Sequence, residues 1–76
     1  MTYRPRHKTA RLAPYLMAIK EAHDSGWTWP ELLNVVEDAG LDIADKAVNL
    51  RHTFDRAMRR YEKGTLKAKQ VPLPGL

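Results

Sequence analysis

The fold is decided by residues 27–40, which read WTWPELLNVVEDAG. Thr28 and Glu31 have the spacing of a capping box, in which each side chain accepts a hydrogen bond from the backbone N–H of the other. Pro30 falls in the first helical turn, where its missing N–H is not needed, and the final glycine supplies the left-handed conformation that ends many helices. The stretch therefore predicts a sharply bounded helix over about 29–39 and a tight turn after it, as in a helix-turn-helix unit.

Two further helices are predicted from apolar residues that recur at three- and four-residue spacing. One runs over roughly 12–24, before the quoted stretch. The other runs over about 43–62, with Asp42 as its N-cap and Gly64 after its end. The expected fold class is all-α, a compact three-helix domain that resembles a helix-turn-helix.

The predicted core takes the central members of the three apolar stripes: Leu16, Ile19, Leu32, Val36, Leu50, Phe54 and Tyr61. Residues 9–64 are expected to form the three-helix domain. Residues 1–8 are expected to be a flexible basic arm, and residues 65–76 a flexible tail that contains prolines.

Length and composition restrict the class of protein. A chain of 76 residues has room for one small domain, and the absence of cysteine leaves helical packing or dimerisation to stabilise it. Without cysteine there are no thiol nucleophiles and no cysteine-bound zinc, and the composition fits a reducing compartment, so we expect a cytoplasmic protein. No apolar run approaches the roughly 18 residues of a membrane-spanning helix, so no membrane partner is expected.

Charge is distributed unevenly along the chain. The net charge of +4 divides into +4 for residues 1–11, −6 for residues 12–45 and +6 for residues 46–76. A polyanion would be attracted to the two basic ends and repelled by the middle. The alternative is that this density of surface charge serves only solubility.

The outward face of the third predicted helix carries the candidate DNA contacts. Lys46, Asn49 and His52 lie in its first turns, the part of a recognition helix that usually touches base edges. Arg51 lies on the flank of the same face. Four cations further along would neutralise phosphates: Arg56, Arg59, Arg60 and Lys63. For each of these residues the alternative is a solvated surface side chain.

The N-terminal arm adds Arg4, Arg6 and Lys8 to the candidate contacts. Basic arms can reach an adjacent minor groove and insert arginines into it. A terminus that only improves solubility is the alternative. Asp45, near the start of the third predicted helix, suits the dipole of that helix but would repel a phosphate placed close by.

Enzymatic and metal-binding functions find little support in the residue pattern. His7, His23 and His52 lie far apart on different predicted elements, and none has a partner at metal-ligand spacing. There is no glycine-rich phosphate loop, and caps and surface charge explain the carboxylate pairs. We expect no catalytic residues, no metal and no cofactor.

The segment Gly26-Trp-Thr-Trp-Pro-Glu-Leu-Leu33, a later glycine at Gly40 and the pair Leu50-Arg51 resemble short helix-turn-helix proteins of plasmids, integrative elements and phages. The resemblance covers residues 15–62 and implies a regulatory or accessory role on mobile DNA. The chain departs from the standard motif at Lys46, where an apolar residue is usual, and at Val36, where a small one is usual. The departure implies either a variant with a longer turn or a three-helix unit that binds something else.

The leading hypothesis is a small DNA-binding protein, a transcriptional repressor or an accessory factor of a mobile element, whose partners are double-stranded DNA and a second copy of the chain. The runner-up is a protein-interaction module or a phage-type inhibitor that binds through a surface containing Trp27 and Trp29, since tryptophan is often a hot spot at interfaces. Partner contact on the basic third helix or on the acidic, aromatic second helix would separate the two hypotheses.

Overall fold

The computed structural model describes residues 8–67 and 71–76, and every regular element within them is helical. The described elements are α1 (Lys8–Leu12), a 3-10 turn (Ala13–Tyr15), α2 (Leu16–Asp24), α3 (Trp29–Asp38) and α4 (Ala47–Glu62). α1, the 3-10 turn and α2 follow one another directly, so the described residues form three helical segments. The expectation of a compact all-α domain is confirmed.

Pro14 interrupts the first helical segment. Because proline has no backbone N–H to donate, the chain passes through a 3-10 turn at Ala13–Tyr15 before the helix resumes. The first helix also begins earlier than the predicted start at residue 12. Lys8, which the prediction placed in the flexible arm, is the first residue of α1, and α1 packs against α4.

The start and end of α3 confirm the capping box and the glycine turn that were predicted from the sequence. The Thr28 N–H donates to Glu31 Oε1 at 3.1 Å, and the Glu31 N–H donates to Thr28 Oγ1 at 3.4 Å, which completes the capping box. At the other end Gly40 adopts a φ of +76°, and the N–H groups of Gly40 and Leu41 donate back to the last turn of the helix. This is a Schellman motif, which satisfies carbonyls that the helix end would leave unpaired.

The predicted start of the third helix at residue 43 is wrong. α4 begins at Ala47, and its N-cap is Lys46, which has extended backbone angles, rather than Asp42. Residues 39–46 form a non-helical segment that joins α3 to α4. Ile43 belongs to this segment, and its side chain is fully buried. The tight turn expected after α3 is therefore a longer connection, held in place by the apolar side chain that it contributes to the core.

Six of the seven predicted core residues are buried: Leu16, Ile19, Leu32, Val36, Leu50 and Phe54. Tyr61 was predicted wrongly, because its side chain is 41% exposed. Ala57 is the last buried residue of α4, so the final turn of this helix projects beyond the core although Tyr61 continues its apolar stripe.

Part of the predicted C-terminal tail belongs to the packed domain. Leu73 is only 3% exposed and joins the core cluster. The Val71 N–H donates a hydrogen bond of 3.2 Å to the carbonyl of Pro14, and Gly75 lies against Val35. The core therefore does not end at residue 64, as the sequence predicted, but includes a non-helical segment that carries no helical signal of its own.

Candidate nucleic-acid interface

Four side chains form a line along the solvent side of α4. His52, Arg56, Arg59 and Lys63 follow one another at spacings of four, three and four residues, which places them on one helix face. All four are exposed, whereas the opposite face buries Leu50, Thr53, Phe54 and Ala57. At about 1.5 Å per residue the line is about 16 Å long. We call these four residues the basic stripe.

The inner face of α4 determines the direction in which the basic stripe points. Thr53 is 1% exposed, and its hydroxyl donates a 2.9 Å hydrogen bond to the carbonyl of Asn49. The Phe54 ring lies 5.3 Å from the Trp29 ring in a tilted arrangement, which joins α4 to α3. Because these buried side chains hold α4 against the rest of the domain, the helix cannot rotate about its axis without exposing them.

The two flanks of the basic stripe differ in chemistry. On one flank Asp55 and Glu62 are exposed, and Arg51 lies beyond them on the same side of the helix. On the other flank the guanidinium of Arg60 donates a 3.3 Å hydrogen bond to the hydroxyl of Thr9 in α1. Arg60, predicted as a phosphate contact, thus has a structural role between two helices, and Thr9 is a residue of this region that the sequence did not reveal.

The N-terminal end of α4 carries the carboxylate of Asp45. The Asn49 amide donates a 2.8 Å hydrogen bond to Asp45 Oδ1. This bond lowers the pKa of the Asp45 carboxyl, as do a backbone N–H and the ammonium groups of Lys46 and Lys8, so Asp45 is ionised at neutral pH. Asn49, predicted to read a base, is therefore engaged with a carboxylate, and Lys46 precedes the helix as its N-cap. The four-residue spacing of the pair was a signal that could have been found in the sequence.

A second carboxylate lies in the connection before α4. The guanidinium of Arg11 donates to the backbone carbonyl of Asp42 at 2.7 Å and to its side-chain Oδ2 at 3.2 Å. Since Ile43 is buried next to it, this contact holds the connection against α1. Asp42 therefore ties the loop to α1 instead of capping the third helix.

The predicted arm residues fall only partly within the structure. Lys8 is exposed at the start of α1, and its charge acts on Asp45, so it lies near the N-terminal end of α4. Arg4 and Arg6 lie outside the described residues.

The tryptophans of the alternative surface are half-buried. Trp29 stacks on His23 with ring centroids 4.6 Å apart and lies on Phe54, so both of its neighbours belong to the domain itself. Trp27 packs against the core and lines an open hollow with Pro72 and Leu76. The exposed part of α3 includes acidic side chains at Glu31, Glu37 and Asp38.

Two further findings concern the described residues alone. They contain no group of three or more histidine or acidic side chains arranged to hold a metal ion. None of their helices is both long and apolar enough to cross a membrane. Comparison of the chain with family models, curated proteins and solved structures found no match.

Proposed function

We propose that this chain is a small DNA-binding protein, an accessory factor or repressor of a mobile element, that contacts duplex DNA through the basic stripe of α4. The proposal is carried by one observation: Arg56, Arg59 and Lys63 continue a single solvent-facing line whose opposite face is buried. Duplex DNA carries one charge for about every 1.7 Å of its axis, so a line about 16 Å long faces several phosphates. The role on mobile DNA rests on the resemblance described above.

The charge of the other helices supports an approach by α4. α3 exposes Glu31, Glu37 and Asp38, which would repel a polyanion. On α2 the exposed Lys20 is paired with Asp24 at 2.8 Å. Because attraction and repulsion are separated on the domain, the field of the whole protein orients DNA toward the basic stripe.

The protein-binding alternative receives less support. A hot-spot tryptophan is normally available to insert into a partner. Trp29 instead stacks on His23 and contacts Phe54 in a tilted arrangement, and Trp27 already packs against the core. Both tryptophans thus have a structural use, whereas within the described part of the chain Arg56 and Arg59 make no hydrogen bond or ion pair that would explain their alignment.

The test is a salt titration of binding to a fluorescently labelled mixed-sequence duplex. Arg56→Ala and Arg59→Ala should each weaken binding and reduce the slope of log K against log salt by about one, because each phosphate contact releases about 0.9 of a counterion. Lys20→Ala is the matched control, since it removes the same charge from α2. Its slope should equal that of the parent.

Three results would contradict the proposal. They are no binding by the parent at low salt, unchanged slopes in both arginine variants, or an equal loss in Lys20→Ala. Circular dichroism of each variant shows whether the fold is retained. Sedimentation of the free and DNA-bound protein measures whether a second copy of the chain takes part, as expected for a repressor.

A further inference from the structure

We infer, on the basis of the proposed DNA-binding function, that α4 lies along the phosphate backbone without reading bases, and that Asp45 excludes the N-terminal end of the helix from the groove. The protein would then bind duplex DNA of any sequence. This favours the accessory role over that of a repressor of a defined operator.

Asn49, the predicted base reader, is held by a carboxylate. A bidentate contact with adenine uses both the amide N–H and the amide oxygen of asparagine. The nitrogen of this amide lies 2.8 Å from an oxygen of Asp45. While this bond is kept, the amide cannot approach a base edge without bringing the ionised carboxylate toward the phosphates, which repel it and would strip it of water.

The N-terminal end of α4 has little freedom to move aside. The connection before α4 is held by the burial of Ile43 and by the contacts of Arg11 with Asp42. Asp45 is therefore kept beside the first turn of α4, where it accepts the hydrogen bond described above. Because Asp42 is paired with Arg11, Asp45 is the carboxylate that a phosphate would meet at this end, with two lysine ammonium groups near it.

The flanks of α4 oppose insertion of the whole helix into the major groove. The major groove is about 12 Å wide and a helix with its side chains is about 10–12 Å across, so an inserted helix meets phosphates on both flanks. One flank of the basic stripe carries Asp55 and Glu62, and the other faces α1 through the bond between Arg60 and Thr9. Insertion would press two carboxylates against one groove wall, whereas a surface contact along the stripe leaves them in water.

The experiment has two arms that separate this inference from the proposed function. In the first, the intact protein is taken through repeated rounds of selection from a pool of randomised duplexes, and the bound DNA is sequenced. We expect binding without an enriched motif, and the dissociation constants of individual duplexes should differ by much less than the roughly thousandfold or greater ratio of specific to non-specific binding. An enriched consensus sequence would overturn the inference while leaving DNA binding intact.

The second arm uses Asp45→Ala and Asn49→Ala. Removing the carboxylate should tighten binding to all duplexes by a similar factor at low salt, with the gain declining as salt rises. Asn49→Ala should leave the affinity for every duplex within about twofold of the parent value, because an amide bonded to Asp45 makes no base contact that could be lost. If Asn49→Ala weakens one sequence selectively, or Asp45→Ala binds no tighter than the parent, the inference is wrong. If the pool is not bound at all at low salt, the proposed function fails and the inference fails with it.

Discussion

Replacing Leu73 with alanine tests whether the C-terminal segment belongs to the folded domain. The side chain is 3% exposed and packs in the core cluster. Leucine-to-alanine changes in cores cost about 2–5 kcal/mol, and a terminal segment can shift into the space left behind, so we expect about 2–3 kcal/mol. A domain of this size loses about 4–8 °C per kcal/mol, which predicts a fall in Tm of roughly 10–20 °C.

The assay is thermal and urea unfolding followed by circular dichroism. Leu76→Ala is the matched control, because it is the same substitution in the same segment at a side chain that is 45% exposed. It should change the free energy of unfolding by less than about 0.5 kcal/mol. Removal of residues 71–76 should destabilise at least as much as Leu73→Ala, since it also removes the hydrogen bond from Val71 to Pro14.

Two results would refute this prediction. One is a Tm for Leu73→Ala equal to that of the parent, and the other is an equal loss of unfolding free energy in Leu73→Ala and Leu76→Ala. Either result would mean that the segment does not contribute a buried side chain in solution.

Three further predictions concern the helices. Thr28→Ala should lower the free energy of unfolding by about 1 kcal/mol in urea titrations, because the helix loses its N-cap acceptor, whereas Thr28→Ser should cost much less. Bonds from the hydroxyl and the backbone N–H of Thr28 lower the pKa of Glu31 below its ordinary 4.5, so the charged form stabilises the fold above that pH and its contribution is lost as the pH falls through the lowered pKa. The difference in Tm between the parent and Glu31→Gln, measured from neutral to acidic pH, should therefore shrink below about pH 4.5. Phe54→Ala should cost about 3–5 kcal/mol, and calorimetry should find the domain largely unfolded.

Each of these predictions has a result that would contradict it. Equal stabilities of the alanine and serine variants at Thr28 would remove its hydroxyl from the cap. A Tm difference for Glu31→Gln that stays constant with pH would mean that the carboxylate charge has no part in the capping box. A parent-like melting curve for Phe54→Ala would remove that ring from the core.

The candidate interface could be predicted from the sequence to the extent that it follows from helical periodicity. A residue opposite an apolar stripe must face solvent once the helix packs, so the outward position of Arg56 and Arg59 was predictable. The role of Arg60 was not, because its partner Thr9 lies 51 residues away in the chain. Asn49 and Asp45 stand four residues apart, so helical spacing could have predicted their hydrogen bond, but the two were interpreted as separate surface side chains.

The sequence by itself determined the helix ends that depend on local hydrogen bonds. The capping box at Thr28 and Glu31 and the left-handed Gly40 act within a few residues, so their geometry needs no distant partner. Tertiary structure alone decided the burial of those apolar residues that depart from the helical pattern. Ile43 keeps the helical spacing yet enters the core from a loop, and Tyr61 keeps it yet lies beyond the packed helices. Leu73 has no periodic context at all, and it is buried because the folded helices leave an apolar surface that its segment can cover.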